Sequence, residues 1–123
     1  MNYHKFFINA EKAPLINPIK GLETTILTGL SGEKMMMVLS STLPGHTVPM
    51  HSHPQEQVGI VYSGKAKLRI GNIERIVKKR DFYLIPAGVT HGDTCIGEEP
   101  FVMLDIFCPA RDDFIQIYEE TRE

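Results

Sequence analysis

The chain has 123 residues, enough for one domain of ordinary size and too few for two. Hydrophobic residues supply 42% and charged residues 23%, which excludes a disordered chain. Thirteen Lys and Arg against fifteen Asp and Glu give a net charge of −2, which leaves no electrostatic footprint for nucleic acid or an anionic membrane.

The start, Met1 to Asn9, has only the apolar run Phe6-Phe7-Ile8, too short for a signal peptide. No stretch approaches the ~18 apolar residues of a membrane span. Cys95 and Cys108 show no metal or disulfide spacing and read as packed thiols, so a cytoplasmic protein is expected. Ten Gly and eight Pro point to many turns and many short elements. Short apolar or alternating runs between turn residues predict strands: Thr24 to Thr28, Met35 to Leu43 and Val58 to Tyr62, then Lys65 to Ile70, Ile73 to Lys78, Phe82 to Ile85 and Phe101 to Phe107. Lys65, Lys67 and Arg69 alternate with Ala66, Leu68 and Ile70, giving one wet and one buried face. Met35, Met36 and Met37 read as filler on both faces of a strand, in the core and at a dimer contact. Only the end reads as helix, with Asp112 or Asp113 as cap and Phe114, Ile115, Ile117 and Tyr118 at amphipathic spacing. The expected architecture is all-β: a single domain over 1–123, eight or more strands closed into a small jelly-roll barrel with its core at about 35–108, and a short C-terminal helix.

Chemistry concentrates in Gly45 to Gly59. In a strand, residues two apart share a face, so His51 and His53 point the same way. Parity adds Gln57 and Gly59 to that face and leaves Glu56 on the other, unless a bulge near Pro54 resets the count in favour of Glu56. A third candidate, His91, follows the turn Pro86-Ala87-Gly88, from which a side chain can cross a barrel. His46 and His4 have no such partners and read as ordinary polar residues. Three imidazoles and one oxygen leave positions open on a divalent ion, as a catalytic site requires, and suit Ni, Zn, Fe, Mn or Cu without choosing among them.

Phe101, Met103, Asp105 and Phe107 share one strand face, and Val102, Leu104, Ile106 and Cys108 share the other. A carboxylate on an apolar, inward face is either hydrogen-bonded or functional. Apolar neighbours would raise its pKa; Arg111 or a cation would lower it. Arg111 lies past the strand end, where it can pair with Asp112 or Asp113 or take a carboxylate in its planar fork.

These stretches resemble the cupin superfamily. Its first motif, G-x5-H-x-H-x3,4-E-x6-G, is matched by Gly45, His51, His53, Gln57 and Gly64, with Gln57 where the pattern has Glu. Its second, G-x5-P-x-G-x2-H-x3-N, is matched by Pro86, Gly88 and His91, with Arg80 for the first Gly and Cys95 for the final Asn. The resemblance implies a homodimeric barrel with one divalent metal on His51, His53, Gln57 and His91. The Gln lowers the ligand charge by one and sets the chain apart from oxalate-decarboxylating and manganese-storing cupins, where Glu is expected. The ending Leu104 to Phe114 is similar to the small cupins of pectin and alginate breakdown, which convert 4,5-unsaturated uronates to linear 4-deoxy-5-keto uronates. That likeness implies pocket roles for Asp105, Phe107 and Arg111 and a small acidic sugar as ligand. A non-catalytic cupin that senses a small molecule and a metal-dependent dioxygenase are the competing expectations.

Overall fold

The computed structural model describes residues 6–122. Among these residues a 3₁₀ turn at Ala10–Lys12 is followed by ten strands: β1 (Leu15–Ile19), β2 (Leu22–Ile26), β3 (Met36–Thr42), β4 (Thr47–His51), β5 (Glu56–Ser63), β6 (Lys65–Ile70), β7 (Ile73–Lys78), β8 (Phe82–Ile85), β9 (His91–Cys95) and β10 (Phe101–Cys108). Helix α1 (Asp112–Thr121) closes the chain. The strands form an antiparallel six-stranded sheet, β1-β2-β3-β10-β5-β8, and a four-stranded sheet, β4-β9-β6-β7. No helix among the described residues is long and apolar enough to cross a membrane.

Strands β6, β7 and β8 have the predicted limits, because each is bounded by turn residues such as Gly71-Asn72. Strands β1 and β9 are additions to the expected set. Pro18 is accommodated in β1 because that strand lies at a sheet edge and its register with β2 is irregular between Ile16 and Ile19, so the missing N–H costs no regular ladder bond. Met36 is fully buried in β3 and Met37 half-buried on its other face, whereas Met35 precedes the strand and is exposed. The helix departs from expectation at its start. Its N-cap is Arg111, without a side-chain capping bond, while Asp113 accepts a hydrogen bond from the Phe114 amide inside the first turn.

The interior has two apolar clusters. One gathers Val61, Ala66, Leu68, Val77, Cys95, Phe101 and Met103. The other gathers Ile16, Ile26, Met36, Val38, Phe107 and Phe114, so the helix docks by Phe114 against the barrel. Buried polar residues, among them Thr24, Ser40, Thr42, Gln57, His91, Asp93 and Asp105, also face inward. A chamber of about 50 Å³ touches both clusters through Leu68, Met103, Phe107 and Phe114 and is walled by Ser40, Gln57, His91, Asp93 and Asp105 of this polar group. The inward face of β10 runs through the whole arrangement: Phe101 and Met103 belong to one cluster, Asp105 to the chamber, and Phe107 to the other cluster.

Candidate metal centre

Local backbone chemistry brings the histidines together. The β4–β9 register is irregular between Val48 and His51, after which His51 pairs directly with His91. This irregularity needs Gly92 on the facing strand, since a Cβ there would lie 2.6 Å from the Val48 carbonyl oxygen. Strand β4 ends at His51, so His53 lies in the following loop rather than on the strand as expected. That loop is tied to the β8–β9 turn by the Gly88 amide, which donates to the His53 carbonyl at 2.9 Å. Ring centroids of His51 and His91 are 4.4 Å apart, and those of His53 and His91 4.8 Å.

Each imidazole has its Nδ1 within hydrogen-bond distance of a backbone carbonyl: His51 to Pro49 (2.8 Å), His53 to Gln55 (3.0 Å) and His91 to Val89 (2.9 Å). A carbonyl only accepts, so Nδ1 carries the proton in all three and Nε2 presents a lone pair inward. Burial lowers the pKa of His91 to about 4, and burial followed by the Arg111 charge lowers that of His53. Both rings are therefore neutral and free to ligate at neutral pH. One potential ligand atom from each histidine lies within 4.8 Å of the others. Two nitrogens on one tetrahedral zinc-sized ion are about 3.4 Å apart, so the rings could share an ion after closing by no more than about 1.5 Å.

Gln57 stands where it could add an oxygen donor. Its Oε1 stands 3.0 Å from His53 Nε2. With the His53 proton on Nδ1, two acceptors face each other there, an unfavourable contact that a cation between them makes favourable. The amide nitrogen is engaged elsewhere, because Gln57 hydrogen-bonds the Asp105 carboxyl, which can only take an N–H when ionised. Glu56 is exposed, so parity holds across the interrupted strand. The donor set fits one divalent transition ion.

Around this set stand the residues expected from the sequence and two that were not. Asp105 is 3% exposed; burial lifts its pKa to about 6 against the opposing hydrogen bonds of Tyr83 and Gln57 and the Arg111 charge. Tyr83 donates to Asp105 Oδ1 at 2.5 Å. Asp93, on β9, also lines the chamber; burial lifts it to about 6 although Thr42 donates to it at 2.8 Å. Phe107 meets the His53 ring edge-on at 5.5 Å. Arg111 is buried, stacked 3.9 Å over Phe114 and 5.0 Å over Phe107. Its Nε and Nη2 donate to both oxygens of Asp113, at 3.1 and 2.7 Å. Burial pushes the Asp113 pKa up, but these bonds and the Arg111 charge outweigh it and hold the carboxyl below its usual range. One edge of the guanidinium is thus taken, and Nη1 remains for a ligand. The chamber shares Leu22, Val48, His51, Arg111 and Phe114 with a vestibule of about 410 Å³. Sequence parity missed Tyr83 and Asp93, because Phe82 to Ile85 shows no polar alternation and β9 was not predicted.

Known proteins share both pattern and shape. A cupin domain family model matches residues 38–107. The pectin degradation protein KdgF of Dickeya dadantii (strain 3937) is 30% identical over 112 residues, spanning 90% of this chain and 98% of that protein. The H2HPP isomerase of Bacillus subtilis is 32% identical over 71 residues, 56% of this chain and only 30% of the isomerase. Among solved structures, an RmlC-like cupin from Shewanella frigidimarina NCIMB 400 superposes with a TM-score of 0.78 at 25% identity, over 88% of this chain and 94% of that one. KdgF from Halomonas sp. superposes with the same score at 22% identity, over 88% and 96%. With its barrel, its histidine triad and these matches, the chain belongs to the cupin family.

Proposed function

We propose that this cupin is a metal-dependent enzyme that opens 4,5-unsaturated uronates to linear 4-deoxy-5-keto uronates. The observation that carries the reading is the placement of Asp105 and Arg111 in the chamber beside the three inward-facing imidazoles. Support comes from the relative of matching length named for the degradation of pectin, a polymer of uronate. His51, His53, His91 and Gln57 would hold the divalent ion, which supplies Lewis acidity toward substrate oxygen. These donors are all neutral, and the charges of Arg111, Asp113 and the ionised Asp105 and Asp93 together offset a bound dication, so an anion would be held by direct contacts rather than by net charge.

The free edge of Arg111 takes the substrate carboxylate. Phe107 forms the pocket wall between guanidinium and imidazole. Asp105, ionised, removes the proton of the anomeric hydroxyl. The C1–O5 bond breaks, C1 becomes an aldehyde, and the bond's electron pair remains on O5 as an enolate. The enolate collapses to the C5 ketone as C4 takes the proton from Asp105. The carboxylate is regenerated, and the reaction is a net isomerisation. Two free cysteines, Cys95 and Cys108, suit the reducing cytoplasm. The outer face of β8, β5 and β10, with exposed Val58, Phe82 and Leu84, is the surface on which a homodimer would form.

The test supplies the unsaturated monouronate product of a polysaccharide lyase to metal-loaded protein and follows absorbance of its double bond. Loss no faster than without protein overturns the substrate. A sensing cupin would bind without turnover, and a dioxygenase would consume oxygen. Loss of turnover with retained affinity in Asp105→Ala supports the enzyme. Metal analysis of the untreated protein is expected to give about one ion per chain, abolished in His51→Ala/His91→Ala.

A further inference from the structure

The hydrogen bond between Tyr83 and Asp105 spans an unusual gap. Gly59 pairs with Tyr83 on one side and with Asp105 on the other, so the three residues form one row across β8, β5 and β10. The outer two backbones are about 9.5 Å apart at two strand spacings. Tyr83 nevertheless reaches Asp105 Oδ1, because its phenol passes over the position where a side chain at residue 59 would stand. A Cβ on Gly59 would lie 2.5 Å from both Cζ and the hydroxyl oxygen of Tyr83, and closer still to Asp105 Oδ1. Gly59 does not have a positive φ, so the backbone conformation does not call for glycine there. The space does.

The row continues toward the metal donors. Asp105 is bonded by Tyr83 and by the Gln57 amide. Gln57 is two residues from Gly59 on the same strand face, and its Oε1 faces His53. Which end of the amide faces the histidines is decided by where its nitrogen finds an acceptor, and Asp105 is that acceptor. We propose that Tyr83, passing over Gly59, is a positioning residue: it fixes the Asp105 carboxyl, which in turn turns the Gln57 amide oxygen toward the histidine triad. A residue at 59 larger than glycine breaks the chain of contacts at its middle.

The role assigned to Asp105 in turnover rests on the uronate reading, but the effect on the metal donors does not. Co²⁺ titration of the metal-free protein, followed by its visible absorption, therefore decides the proposal. Tyr83→Phe keeps the ring and removes only the hydroxyl; it is expected to weaken Co²⁺ binding about tenfold and shift the spectrum, within the range typical of lost support behind a ligand. Gly59→Ala, which pushes the phenol away, is expected to do the same and serves as the test should Tyr83→Phe fold poorly. If wild type converts the uronate, kcat of Tyr83→Phe falls about tenfold with KM within twofold. Co²⁺ affinity within twofold of wild type and an unchanged spectrum in a folded variant overturn the proposal, whatever the uronate assay shows. A wild type inactive on uronate whose variants still lose Co²⁺ affinity removes that substrate and leaves the positioning role standing.

Discussion

Asp105→Asn provides a quantitative test of the chamber, made in metal-free protein so that no cation compensates the carboxylate. Burial raises the Asp105 pKa from 3.8 to about 6. That rise corresponds to about 3 kcal/mol of penalty on the ionised form in the folded state. Because the folded value lies above the unfolded one, the penalty is absent below pH 3.8, grows between 3.8 and 6, and is complete above 6. Asparagine has no charge to bury and its oxygen still accepts from Tyr83. The amide has a single accepting oxygen, so the Gln57 N–H loses its acceptor, at a cost of about 1–1.5 kcal/mol. The variant is therefore expected to be about 1–2 kcal/mol more stable than wild type at pH 8, with a rise in Tm of a few degrees. At pH 4 most of the wild-type penalty is gone, so the variant's advantage should shrink by about 2.5 kcal/mol and leave it about 0.5–1.5 kcal/mol below wild type. Urea unfolding of both chelator-treated proteins at the two pH values measures this. An Asp105→Asn protein less stable than wild type at pH 8, or a difference that does not change with pH, refutes the account of a carboxyl held under penalty.

Arg80 has a φ of +76°, at the position where the family pattern has glycine, and is exposed. Arg80→Gly is expected to raise stability by about 1 kcal/mol in the same unfolding assay, since the left-handed conformation is strained for any residue with a Cβ. Phe114→Ala should lower stability by about 3–5 kcal/mol, because the ring is 4% exposed and joins the helix to the barrel cluster; a loss under about 1 kcal/mol would show that the helix is not docked by it. Arg111→Lys removes the paired donation to Asp113 and the stacking on Phe114. It should raise KM for a carboxylate substrate about tenfold while leaving bound metal at about one ion per chain.

The sequence was most legible where side-chain alternation and turn residues coincided. Lys65 to Ile70 alternates solvated and buried positions, and Gly71-Asn72 separates it from Ile73 to Lys78, of which only Val77 is buried, so their limits were plain. Strand β9, His-Gly-Asp-Thr-Cys, was not, because most of its residues are poor strand formers and nearly all are buried. What holds it in place is pairing with β4 and β6, which no local pattern encodes. Asp93 was hidden along with it. Gln57 was found by counting parity from His53, whereas Tyr83 lay in a four-residue apolar run whose inward face is known only once its pairing with Gly59 is seen. Spacing picked out the three histidines before the likeness to cupins was considered; that Asp113 rather than Asp112 clasps Arg111 is decided by the helix turn that brings them together.

The proposed ligand set is divided between the layers. His51 and His91 belong to β4 and β9 of the four-stranded sheet, and Gln57 belongs to β5 of the six-stranded sheet. A single ion held by all of them would be a removable cross-link between the two halves of the barrel. Hydrogen exchange should register it as such: stripping the metal would loosen β4 and β9 together with β5, while β7, separated from β9 by β6, would exchange at an unchanged rate.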